Sequence, residues 1–338
     1  MTTTDPALEL AEATLEPFVR LSKDLKKAAE TMTQAEARYL VDSYYTVQGY
    51  RIRFGNQMRA LAESGEPHDL IRWMYGNAEG LEKNIQKALD AYSRAQSPVG
   101  EWLRALPGIG PVLASGLLAH IDITQAPYAG HIISYAGFNP SVTWEKGQKR
   151  PWNAKLKVVC FLAGESFCKV QNRPRDIYGH VYARRKAQEI EANELGLFAD
   201  QAALALQKKR YGTDTKARAC YESGKLPPAH IHARARRFAV KLFLSHLHYV
   251  WYEAEYKETP PEPYVLSHLG HSALIKPPYW PLPADLKVAQ DEELVDLSVL
   301  DAVNEEEVSA PEMPDHASLA VKIARFKRGL AQRKQQSE

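Results

Sequence analysis

Residues 97–120 read SPVGEWLRALPGIGPVLASGLLAH. Ser97 followed by Pro98 is a cap with proline at the first helical position, which starts a helix well. Leu103 and Leu106 give that helix an apolar side. Pro107-Gly108-Ile109-Gly110 is a tight turn whose two glycines reach backbone angles closed to other residues and can bring amides near a ligand. A second apolar helix is expected from Pro111 to His120, with Ala114 and Gly116 small enough for close approach to the first. This is a helix-hairpin-helix signature. In such a module the hairpin amides and the positive end of the second helix hold a backbone phosphate without reading sequence. The same pattern also serves as a plain joint between packed helices. Arg104 is the nearest cation, and with Gly108 and Gly110 it is the expected phosphate contact.

Upstream, the residues repeat at helical spacing. ALELAEATLEPFVRLSKDLKKAAE places apolar side chains three and four apart, with Pro17 as a kink or interruption. Thr33 and Glu36 form a capping box with Met32 outside it, so a helix starts there and runs towards Leu61, stopping near Ser64-Gly65. Its row Tyr39, Tyr44, Tyr45, Tyr50 and Phe54 reads as a bundle seam, with a stacking or partner surface as the alternative. A further helix is expected over Pro67 to Ala95. Downstream, 178–255 is again periodic, broken near Gly196 and restarted after Pro227-Pro228. Strand-like alternation is scarce throughout. The fold class read from this pattern is all-α. The expected organisation is a helical domain over 1–95, a basic hairpin-bearing domain over 97–255, a proline-rich then acidic segment over 256–319, and a basic tail over 320–338.

The chain after the hairpin, IDITQAPYAGHIISYAGFNPSVTWEKGQKRPWNAKLKVVCFLAG, extends the pattern. Together with Leu106 to Gly110, its Tyr135-x-Gly137-x-x-Pro140 element, polar loop 141–152 and helix from about Asn153 resemble the C-terminal domain of the IS116/IS110/IS902 family of bacterial transposases. The resemblance spans roughly 97–170. It implies DNA as the partner, and it implies two catalytic elements elsewhere in such proteins: a RuvC-like nuclease sheet with four acidic metal ligands, and a serine before a glycine in the loop. Residues 1–95 show no such strands. Ser141 is the nearest hydroxyl, but Glu145 and Lys146 stand in the vicinity of Gly147 instead. Ser141 is therefore read as a turn serine, and no catalytic residue is assigned.

Charge points the same way. The formal total is only +2, yet residues 146–257 carry 22 basic and 10 acidic groups, a net of +12. Residues 281–319 carry one basic and 11 acidic groups, a net of −10. Lys146, Lys149, Arg150, Lys155, Lys157, Lys169, Arg173 and Arg175 cluster beside the hairpin, with Trp144, Trp152 and Phe167 among them. Cations of this kind give salt-sensitive backbone affinity, while aromatics either stack on bases or anchor the fold. After Pro228, His230, Arg234, Arg237 and Lys241 follow at spacings of four, three and four on one helix face. The expected DNA contacts are thus Arg104, Gly108, Gly110, Lys146, Lys149, Arg150, Lys155, Arg234, Arg237 and Lys241. His230, His232, His246 and His248 lack metal-ligand spacing, and no metal or cofactor is expected. Glu165 and Asp176 lie inside the basic stretch, where ion pairing is the commoner role for an acid than catalysis.

With 45% hydrophobic and 25% charged residues, the composition excludes collagen-like, mucin-like and wholly disordered classes. Cys160, Cys168 and Cys220 form no disulfide framework and read as reduced thiols. No stretch approaches a membrane span, and the N-terminus lacks the features of a secretion signal. A cytoplasmic protein follows as the expectation, with nucleoid association left open. The sequence-based reading is an accessory, non-catalytic DNA-binding protein acting on duplex or branched DNA, with RNA and oligomerisation open. An active recombinase or nuclease with unrecognised residues, and a structural component of a phage or mobile element, are the alternatives.

Overall fold

The structure, a computed structural model, describes residues 20–173, 175–261 and 275–282. Pro17, the acidic segment and the basic tail lie outside them. Among the described residues the fold is all-α: eleven α-helices, one 3₁₀ turn and no strand. None of these helices is long and apolar enough to cross a membrane. They group into two compact units, one holding the described residues up to Arg104 together with Gly110–His120, the other Ala105–Ile109 and the described residues from Ile121 onward.

The first unit contains α1 (Lys23–Glu30), α2 (Gln34–Glu63), α3 (Asp69–Ala95), α4 (Val99–Ala105, which crosses its boundary by one residue) and α5 (Pro111–His120). The first two starts have a local cause. Ser22 caps α1 by accepting from the Leu25 amide, and Thr33 with Glu36 closes the capping box of α2. The end of α2 follows the expected stop, with Ser64 as cap and Gly65 at φ +70°. Val41, Leu89 and Val112 join α2, α3 and α5 in one apolar cluster, backed by Tyr44 and Tyr45. Ser115 on α5 donates to the Leu89 carbonyl at 2.8 Å, which satisfies a polar group in that apolar setting. The tyrosine row enters this seam only at Tyr44 and Tyr45. Tyr39 is 73% exposed, and Tyr50 lies outside with Phe54 stacked on it.

The second unit is organised around a long helix. Its elements are the 3₁₀ turn Ile123–Gln125, α6 (Ala129–Tyr135), α7 (Ala154–Val170), α8 (Ile177–Glu194), α9 (Ala199–Lys208), α10 (Lys216–Glu222) and α11 (Pro228–Tyr256). Helix α11 packs on α6, α7 and α8, while α9 pairs with α10. Pro228 occupies the first helical position of α11, where its missing amide costs nothing. Gly196 at φ +76° terminates the α8 segment, as expected from the break in periodicity. The core holds Phe167, Tyr178 and Phe243 with ring centroids 4.9–5.4 Å apart. Ile177, Val181, Tyr182, Ala235 and Ala239 seal α8 against α11. A smaller cluster of Ala202, Tyr221, Leu226 and Ile231 holds α9 and α10 to the start of α11.

Candidate nucleic-acid interface

Within the hairpin the turn is tight. Ile109 donates its amide to the Leu106 carbonyl at 3.1 Å, and Gly108 takes φ +85°. The Gly108 carbonyl accepts from Ser166 Oγ on α7 at 2.6 Å, so the turn is fastened to the basic helix that follows it. A Cβ at position 108 would meet Ser166 Oγ at 3.1 Å and Val170 at 3.3 Å. Glycine is needed there on both counts. The turn groups with the second unit and α5 with the first. Gly110 precedes α5 and accepts from the Ala114 amide, with open space where a Cβ would stand. In the same first unit Arg104 pairs with Asp90 at 3.1 Å.

The Tyr135-x-Gly137-x-x-Pro140 element has a packing explanation. The Tyr135 carbonyl accepts from the Asn153 amide at 2.8 Å, and its hydroxyl accepts from Asn153 Nδ2 at 2.9 Å. Asn153 in turn caps α7 by accepting from the Lys155 and Leu156 amides. Gly137, at φ +74°, faces the Trp152 indole, where an added Cβ would lie 2.9 Å from the ring and 3.0 Å from Lys157 Cδ. The element therefore sets where α7 begins and which way Lys157 leaves it.

Arg150 and Arg237 both act on the Lys157 ammonium at that point. Lys157 stands over the Trp152 ring at 4.3 Å. Burial lowers its ammonium pKa from the usual value, and the Arg150 and Arg237 guanidiniums lower it further. Arg150, from the exposed loop, stacks over Trp144 at 5.2 Å. Arg237, from α11, keeps an exposed side chain, yet partial desolvation and then Arg234 hold its pKa down, with Glu189 acting the other way. Like charges pushed together in this fashion repel, and an anion between them relieves the repulsion. Lys146 and Lys149 are exposed on the same loop, and Lys155 is exposed on the first turn of α7.

The α11 stripe divides by role. Arg234 reaches the buried carboxylate of Glu189 at 2.5 Å and Gln201 at 2.9 Å, and its guanidinium lies over Phe198. It is committed to the junction of α8, α9 and α11. Arg237 is exposed, and Lys241 is half-buried. Arg236, which the spacing of the stripe leaves out, lies over the exposed Phe161 ring at 4.1 Å and forms an ion pair with Glu165. Periodicity alone could not show that Arg236 and Phe161 meet, because they are 75 positions apart.

The remaining polar candidates have structural partners. Ser141 is exposed, and its amide donates to Asn139 Oδ1 in a side-chain-closed turn. Each histidine of α11 has a ring nitrogen within hydrogen-bond distance of a tyrosine hydroxyl or a backbone carbonyl. Burial pushes the His246 pKa down to about 4, so its ring is neutral at pH 7. Its Nε2 donates to the Ile275 carbonyl at 2.9 Å, leaving Nδ1 to accept from the Tyr178 hydroxyl. No group of three or more potential ligands is arranged to hold a metal ion among the described residues.

Residues 100–150 match the model of the IS116/IS110/IS902 transposase family. The matched stretch takes in the hairpin, the Tyr135 element and the loop up to Arg150, and it ends before α7. No curated protein and no solved structure matches the chain. The similarity thus covers one side of the cationic convergence, while Lys157 and Arg237 come from residues beyond it.

Proposed function

We propose that the protein binds DNA by its phosphate backbone, as an accessory partner that does not cut or join the strand. The convergence of Arg150, Lys157 and Arg237 carries this reading. After burial, Arg150 from a loop and Arg237 from α11 both disfavour the charge on Lys157 of α7, and a polyanion is the ligand that relieves this. Lys146, Lys149, Lys155 and Lys241 would extend the grip, the Gly108 amide would offer a further donor on the second unit, and the Gly110 amide one on the first. Arg234 would act by holding the α11 face through Glu189, and Arg104 through its field. The partial similarity to a transposase family supports DNA as the polyanion. Such a protein would work in the cytoplasm on nucleoid DNA.

The test is fluorescence anisotropy of the purified chain with labelled DNA of unrelated sequences across a salt series. Arg150→Gln, Lys157→Gln and Arg237→Gln together should weaken binding to all sequences alike. For duplex DNA the salt slope should fall by roughly 0.9 for each phosphate that is no longer neutralised. Unchanged affinity and slope in a folded triple variant would overturn the proposed interface. Strand breaks made by the pure protein with magnesium would overturn the non-catalytic part.

A further inference from the structure

A backbone grip leaves the aromatic rings of this face without a purpose. Trp144 is 38% exposed and Phe161 46% exposed, although nearby Phe167 is fully buried. Each exposed ring carries a guanidinium, Arg150 on Trp144 and Arg236 on Phe161. The Trp144 indole is fixed by its own loop, since Nε1 donates to the Gln148 carbonyl at 2.7 Å. It is therefore held outward by a hydrogen bond instead of being packed inward. Trp152 differs: wedged between Gly137 and Lys157, it anchors the start of α7. The accessible rings precede and follow that anchor in the chain, at 144 and 161. Arg150 is close enough to Lys157 to bear on its charge, and Phe161 follows Lys157 by four residues, about one helical turn.

Duplex DNA offers such a face its phosphates but keeps its base faces stacked inside. Unpaired bases expose a π-face to any ring that can reach it, and stacking of this kind does not depend on sequence. We infer that this face takes single-stranded DNA, with Trp144 and Phe161 each stacking on a base while Arg150, Lys157 and Arg237 hold the phosphates between them. The inference rests on the DNA-binding reading above and narrows its substrate.

The experiment compares the full chain on a labelled 20-mer of thymidine and on a duplex of equal length, across salt. The wild type should bind the single strand more tightly. Trp144→Ala and Phe161→Ala, which remove no charge, should each weaken single-strand binding roughly 5- to 150-fold. The salt slope and the duplex affinity should stay near wild type in both variants. Trp144→Phe should restore most of the loss, which separates stacking from a general effect on the loop. Should Trp144→Ala fail to fold, the Phe161→Ala comparison alone decides. Duplex preference in the wild type, equal losses on both DNAs, or no loss at all would overturn single-strand selection while leaving DNA binding intact. A wild type that binds neither DNA would overturn both readings.

Discussion

Asp176 immediately precedes α8 and is fully buried, and neither of its carboxylate oxygens completes a hydrogen bond. Burial pushes its pKa up to about 6, with the nearby Gly179 amide and Arg173 offsetting only part of the effect. A carboxyl whose folded pKa lies above its unfolded value favours the fold at low pH, and that contribution is lost as pH rises through 6. Compared with an unperturbed carboxyl near 3.8, the ionised group costs about 3 kcal/mol at pH 8. Asp176→Asn is therefore expected to raise the melting temperature at pH 8, with the gain shrinking to nothing near pH 4. Thermal melts of both proteins across that range check it. The sequence marks Asp176 only as an acid in a basic stretch, because burial is a property of the packed chain. Gly108 is legible as a turn residue, since a proline-glycine pair signals its backbone angle locally. Gly137 is legible as part of a motif, but its role against Trp152 depends on an approach across fifteen residues.

At the scale of elements, the crossing of α7 and α11 places the cations. Gly164 on α7 allows it: a Cβ there would come within 2.8 Å of Arg236 Cγ and Val240 Cγ2. These atoms are near the α11 backbone and cannot swing away cheaply. Gly164→Ala gains about 1 kcal/mol of helix propensity but incurs overpacking of about 1–3 kcal/mol. A net loss on the order of 1 kcal/mol is expected in urea denaturation, as Arg236 and Val240 are pushed from α7. Several helix starts and stops are legible in the sequence, because the Thr33 capping box, Gly65, Gly196 and Pro227-Pro228 act within a turn of where they stand, whereas α4 begins at Val99, one residue later than the Ser97-Pro98 reading gives. The functional stripe on α11 is less so. Arg234 has the right spacing to face a phosphate, yet its partner Glu189 is 45 positions earlier and periodicity carries no information about it. The short helix α6 has no periodic signal of its own, since seven residues give too few turns for a period to show.

For the whole molecule, the charge segregation visible in the sequence meets a second set of groups that only folding reveals. Burial pushes His246 and His248 down to about 4, although the Ile275 and Ala126 carbonyls pull each of them upward. The unfolded chain takes up a proton on each near pH 6.5, whereas the folded one refuses until about 4. Their contribution is full above 6.5 and is lost as pH falls to 4, at about 3 kcal/mol for each ring. Asp176 runs the other way over the lower part of the same window, returning about as much as one histidine loses. The net expectation is a second unit that weakens on acidification. Because the two units need not unfold together, hydrogen exchange of α11 amides, corrected for intrinsic rates, is the suitable measure. Protection should fall steadily from about pH 6.5 to about pH 4.5. It should fall more steeply in Asp176→Asn, where the opposing carboxyl is gone. Protection that stays level across the window, or a slope unchanged by the substitution, would contradict the part given to these three groups.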